Sequence, residues 1–169
     1  MPKARLGVAL LVPPPLDAEI DGLRRAVGDP ALGRIPAHLT LVPPVNVREV
    51  KEAVAVLRRA AAPARPIRLE LGPPATFLPD NPVLYLSVHG ELDDLQALRD
   101  RVFKPPLERT LTWPFVPHVT LADDTTPERI HAALTALADY RAEATFNAVT
   151  LLQEGPGRVW TPLADVPLT

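Results

Sequence analysis

Pro36-Ala37-His38-Leu39-Thr40-Leu41 and Pro117-His118-Val119-Thr120-Leu121 are two copies of one phrase: a histidine, an apolar residue, a threonine and a leucine. Each copy lies in an apolar run that reads as a strand, and side chains along a strand alternate between its faces. His38 and Thr40 therefore share one face, while Leu39 and Leu41 turn to a core. The same alternation puts His118 beside Thr120, with Val119 and Leu121 behind them. Two strands that each present an imidazole and a hydroxyl carry the groups needed for acid–base chemistry on a phosphate.

Outward from the phrases, the chain repeats an order of elements. Leu6 to Val12 is a continuous apolar run, the pattern of a central strand. Asp17 is placed to cap a helix bearing Ile20, Leu23 and Val27 on one side, and Gly28 to end it. The first histidine strand, Ile35 to Val42, is expected to stop at Pro43-Pro44. Asn46 and Glu49 have the spacing of a capping box, before a helix with Val47, Val50, Val54 and Leu57 on one stripe. Ile67, Leu69 and Leu71 alternate with Arg68 and Glu70 as a strand with one wet face.

After a loop carrying Pro73, Pro74, Pro79 and Pro82, the order restarts. Val83 to Val88 reads as a strand, and Leu92, Leu95, Leu98 and Val102 mark a helix stopped by Pro105-Pro106. Phe115 to Leu121 holds the second phrase. Thr126-Pro127-Glu128 opens a helix that carries Ile130, Ala133, Leu134 and Leu137. Thr145 to Leu152 is one more strand and Arg158 to Leu163 a short last one. Each half is thus strand, helix, histidine strand, helix, strand. The expected fold is α+β, a bilobal and pseudo-symmetric duplication in a single domain over 1–169, with lobes at 6–72 and 83–152. Two small sheets would line a central cleft, helices outside, with the histidine strands facing each other across it.

Composition limits what the chain can do. Its 169 residues can bury a real core, and 47% hydrophobic with 22% charged residues is a globular balance, not a disordered one. A net charge of −2 argues against broad binding to long nucleic acids, and leaves a small anionic substrate or a single RNA end. With no cysteine there is no disulfide, thiolate nucleophile or zinc–thiolate site. Lys3 and Arg5 before Leu6–Val12 faintly resemble a signal peptide, but the run is short and meets three prolines, as a buried first strand would. No stretch is long enough to cross a membrane. The expectation is a cytoplasmic monomer with no cofactor, no bound metal and no obligate protein partner.

A lone histidine in a strand is usually tied to a backbone carbonyl and structural, but a matched pair with matched threonines is a site. His89 at a Gly-Glu turn and His131 on an amphipathic helix lack that partner and read as structural or exposed. Trp113, Phe115 and Trp160 can stack on a base, although aromatics beside strands commonly serve packing. Lys104, Arg109 and Arg158 are the candidate cations. Asp93-Asp94 and Asp123-Asp124 lack metal-site spacing and read as helix-start charges.

With both phrases in view, the chain resembles the two-histidine (2H) phosphoesterases, the superfamily of 2′-5′ RNA ligases and cyclic nucleotide phosphodiesterases. Their hallmark is a pair of His-x-Thr/Ser-x motifs in two pseudo-symmetric lobes. The resemblance runs over nearly the whole chain in element order, and Pro117 with the second phrase is its most specific part. It implies His38 and His118 as the catalytic pair, Thr40 and Thr120 as phosphate-binding companions, and chemistry that needs no metal. It implies a 2′,3′-cyclic phosphate, a related cyclic nucleotide or an RNA terminus as substrate. Trp113, Phe115 and Arg109 are the candidates for further substrate contacts.

Opening such a phosphate needs a base for water and an acid for the leaving ribose oxygen, roles that one neutral and one protonated imidazole can share. Two other readings use the same residues: ATP-independent 2′-5′ ligation, with a ribose hydroxyl in place of water, and a non-catalytic nucleotide or RNA-end binding module. The chain departs from the family pattern twice. Asp123-Asp124 stand where an arginine often follows the second motif, and Val42-Pro43-Pro44 replaces a Phe-Leu-Gly type continuation after the first.

Overall fold

Residues Leu6 to Leu10 of β1 (Ala4–Leu11) are buried without a break, as a strand covered on both faces requires. The computed structural model describes residues 2–169. Its chain continues through α1 (Leu16–Val27), β2 (His38–Val47), α2 (Val50–Ala61), β3 (Ile67–Thr76), β4 (Leu84–Gly90) and α3 (Leu92–Val102). Then come β5 (His118–Ala122), α4 (Pro127–Ala136), β6 (Ala142–Phe146), β7 (Ala148–Glu154) and β8 (Trp160–Pro167).

The fold is α+β, but the two small sheets expected from the sequence are one. Eight strands lie in the order β6-β3-β4-β5-β2-β1-β7-β8, all pairings antiparallel. The halves fuse where Leu39 of β2 pairs with Val119 of β5. Two facing sheets would each leave a histidine strand as an edge with unpaired backbone groups, and pairing them satisfies both. The histidine strands therefore lie side by side in the middle of the sheet, not across a gap. Only Asn147 separates β6, at one end of the sheet, from β7, next to the other end, so the sheet must curl to bring its ends together.

Read outward from the seam, the order is symmetric, with β5 and β4 answering β2 and β1. The third strands are exchanged: β3 follows α2 yet pairs with β4, and β7 follows α4 yet pairs with β1. Helix packing obeys the same exchange. α1 meets β5 and α4, α3 meets β2 and α2, α2 meets β7, and α4 meets β3.

Several local expectations change for physical reasons. β2 runs through Pro43-Pro44 to Val47, because its register against β1 slips between Val42↔Val8 and Val45↔Leu6. A proline at such an irregularity forfeits no ladder hydrogen bond. β3 runs through Pro73 and Pro74 in the same way, with a shift between Leu71 and Pro74. Val47 and Asn46 thus belong to a strand, no capping box forms, and α2 starts after Glu49 without a side-chain cap. α1 begins at Leu16, so Asp17 sits in its first turn, where its charge suits the helix dipole, and does not cap it. Gly28 ends α1 in the left-handed conformation, φ 76°. The Thr126 cap does form, accepting from Arg129 N at 3.2 Å. The single strand expected over Thr145–Leu152 is two, broken at Asn147.

Candidate active site

The apolar members of both phrases anchor the site. Leu39, Leu41, Val119 and Leu121 are each 0% exposed, and between them His38, Thr40, His118 and Thr120 are half-buried. Because Leu39 opposes Val119 in an antiparallel pair, Thr40 falls beside His118 and His38 beside Thr120. The four side chains form a square on the face opposite the core, imidazoles on one diagonal and hydroxyls on the other. Diagonal neighbours across such a seam are about 7–8 Å apart, wide enough for a phosphate between them. Each threonine thus shares a face with its own histidine along the strand and stands opposite the other histidine across the seam.

Both rings are held alike. His38 Nδ1 lies 2.8 Å from the carbonyl of Pro36, and His118 Nδ1 lies 2.8 Å from that of Val116. A carbonyl oxygen only accepts, so each Nδ1 carries its proton and each Nε2 is left as the free lone pair of the neutral ring.

Their surroundings differ. Burial, with the Arg24 guanidinium and the other histidine adding to it, lowers His38 from 6.5 to about 4, against the Pro36 carbonyl and Asp29. Arg24 is itself buried and paired, Nε with Asp29 at 2.8 Å and Nη1 with Asp21 at 2.9 Å. His118 is also lowered by burial, but the Val116 carbonyl and the Asp123 carboxylate hold it up. Its ring is fixed edge-on by Phe77, at 5.1 Å and 88°, and by Tyr85, at 5.4 Å and 65°; these two rings stack on each other at 4.2 Å. On β4, Tyr85 lies opposite Thr120 and Ser87 opposite His118. On β1 the equivalent places are Ala9 and Leu11.

A cleft of about 430 Å³ opens over Thr40 and His118. The segment after α3 gives one wall, with Arg109, Trp113 and Phe115; Phe77 and Asn81 stand on the other, and Arg99 of α3 reaches in. The three candidate contacts, Trp113, Phe115 and Arg109, therefore share this cleft with Thr40 and His118. Trp113 is 56% exposed at its rim, while Arg109 straps the wall to β2 through the Pro44 carbonyl at 2.5 Å. A neighbouring hollow joins His118 and Thr120 to Asp123 and Asp124. His38 lines neither, in keeping with its deeper desolvation.

Asp123-Asp124 thus border the site and are not helix-start charges; Thr126 does the capping. Trp160, Lys104 and Arg158 line neither hollow, and Trp160 sits over Gly7. His131 is exposed on α4, and His89 Nε2 is 3.1 Å from Ser87 Oγ. No motif in the sequence marks Phe77, Tyr85 or Arg99. Alternation along β4 could have placed Tyr85, while Phe77 and Arg99 depend on tertiary packing.

The model of the 2′-5′ RNA ligase superfamily matches residues 12–158. A protein of Bacillus pumilus (strain SAFR-032) named "Putative phosphoesterase" is 34% identical over 137 residues, 79% of this chain and 80% of its own length. A protein of the same description from Bacillus cytotoxicus is 27% identical over 161 residues, 92% of each chain. Among solved structures, E. coli LigT complexed with 3′-AMP superposes with a TM-score of 0.66 at 22% identity, over 99% of each chain. TT0787 of Thermus thermophilus gives 0.62 at 21% identity over 97% of each. At these identities the structural likeness speaks for the fold.

Proposed function

The chain belongs to the 2′-5′ RNA ligase superfamily, and we propose that it is a phosphoesterase that opens a 2′,3′-cyclic phosphate, on a nucleotide or an RNA end, with His38 and His118 as base and acid. The observation that carries this reading is the pair of equivalent Nδ1 hydrogen bonds, to Pro36 and Val116, which leave two Nε2 atoms free on one face.

In this scheme His38, held near 4 and therefore neutral, takes a proton from water as its oxygen attacks phosphorus. The phosphorus bond to one ribose oxygen breaks, and His118 delivers its Nε2 proton to that oxygen. Burial lowers His118 as well, but the Val116 carbonyl and, to a lesser degree, Asp123 work against it, and His118 is taken as the acid. The product is a phosphomonoester, and proton exchange with solvent restores both rings. Thr40 and Thr120 donate to the non-bridging oxygens, where charge builds in the transition state. Trp113 and Phe115 offer faces to a base.

The scheme requires no metal, so a chelator leaves turnover intact. Hydrolysis of a nucleoside 2′,3′-cyclic phosphate in ¹⁸O water, followed by mass spectrometry, tests it. One labelled oxygen in a nucleoside monophosphate is expected; binding without conversion would mean a binding module, and a 2′-5′ linked product from RNA ends would mean ligation.

A further inference from the structure

Arg99 is a buried charge without a proper partner. Its side chain is only 12% exposed, and its Nε is the one buried side-chain polar atom among the described residues that lacks a hydrogen bond. Guanidinium does not lose its proton, so the charge must be met by something. Asp100 is its ion-pair partner, at 3.6 Å from Nη1 and itself 58% exposed, a long and solvated contact. Phe103 and Phe115 lie against the guanidinium at 4.1 Å and 5.0 Å, yet ring faces do not accept an in-plane Nε–H.

The other arginines mark the contrast. Arg24, more deeply buried, has two carboxylates at 2.8 and 2.9 Å. Arg109, lining the same cleft, is committed to the carbonyls of Pro44 and Thr110. Arg99 lines the cleft with no oxygen closer to its guanidinium than the Asp100 carboxylate, and its Nε is enclosed without a partner. A guanidinium is a natural match for a phosphate, and the mostly apolar wall strengthens such a pairing. The direction is set by the neighbouring hollow, where Asp123 and Asp124 disfavour a second anion.

We infer that Arg99 is a specificity residue that receives a second phosphoryl group carried by the same substrate molecule, in the arm of the cleft it shares with Phe115. The inference rests on the phosphoesterase reading above. Opening the cyclic phosphate is left to the histidine pair; Arg99 chooses which molecule is held there.

The test compares kcat/KM for three substrates: a nucleoside 2′,3′-cyclic phosphate, the same compound bearing a 5′-phosphate, and a dinucleotide ending in the cyclic phosphate. Wild type is expected to prefer at least one phosphorylated form by tenfold or more. Arg99→Gln is expected to collapse that ratio, with Arg99→Lys between the two; which form is preferred tells a terminal monoester from an internal diester. Equal rates in wild type would overturn the inference whatever the variants do, as would a preference kept by a folded Arg99→Gln. Calorimetric binding of a nucleoside 2′,5′-bisphosphate against the 2′-monophosphate repeats the comparison without turnover. The bisphosphate should bind at least tenfold tighter to wild type, an advantage lost in Arg99→Gln; equal affinities in wild type would contradict it. A protein that shows this binding preference but hydrolyses nothing would refute the phosphoesterase reading and leave the role of Arg99 standing.

Discussion

His38 and His118 stand at equivalent places on either side of the β2–β5 seam, each with Nδ1 at 2.8 Å from the carbonyl two residues before it. The backbone thus repeats the same imidazole mount twice, while the surroundings diverge. One ring lies within reach of the buried Arg24–Asp29 pair, and the other is walled by Phe77 and Tyr85 with Asp123 nearby. Equal mounts with unequal proton affinities are what a base and an acid on one phosphate require.

The pH dependence of activity follows. With His38 as base at about 4 and His118 as acid below 6.5, kcat/KM should rise near pH 4 and fall before pH 6.5. Asp123→Asn removes a negative charge that favours the His118 imidazolium, so the falling limb should move to lower pH. A pH–rate profile of the two proteins reads this directly, and an unmoved limb would contradict the role given to Asp123.

Stability should carry the same signature. Above pH 6.5, His38 is neutral both folded and unfolded and contributes nothing. As the pH falls from 6.5 to about 4 only the unfolded chain takes up the proton, so stability is lost, by at most about 3 kcal/mol. Urea unfolding at pH 7 and pH 4.5 should show His38→Gln losing less between the two than wild type does. Equal losses would mean that His38 is not held neutral by the fold.

The seam is a third place to test. Leu39 and Val119 are fully buried and oppose each other, so Leu39→Ala should cost about 2–5 kcal/mol and Val119→Ala somewhat less. As direct neighbours they should couple, and the double variant should depart from the sum by roughly 0.5 kcal/mol or more, as contacting pairs do. Denaturant midpoints measure this; simple additivity would speak against a shared contact at the seam.

What could be read from sequence was what is local. Period-two alternation was enough to put His38 with Thr40 and His118 with Thr120, and the cap at Thr126-Pro127 and the stop at Gly28 follow from residue chemistry. The union of two sheets into one depends on the pairing of strands far apart in the chain, for which no local pattern exists. Pro43-Pro44 and Pro73-Pro74 read as strand ends because a register slip that tolerates them is invisible until both partners are known. Asp123 has the sequence context of a helix-start charge, and only the tertiary fold puts it beside His118. Arg99 sits between Leu98 and Asp100 on an amphipathic helix, and only packing against Phe103 and Phe115 distinguishes it from a solvated arginine.

The central claim is that His38 and His118 act as one unit on a single phosphate, and turnover of a nucleoside 2′,3′-cyclic phosphate by alanine variants of the four site residues measures it. His38→Ala and His118→Ala should each cost orders of magnitude in kcat, with the double variant little worse than either. Thr40→Ala and Thr120→Ala should lose on the order of 2–4 kcal/mol of transition-state stabilisation each, as single donors do. Near-normal turnover in a folded His38→Ala or His118→Ala, or costs that multiply in the double variant, would contradict the account.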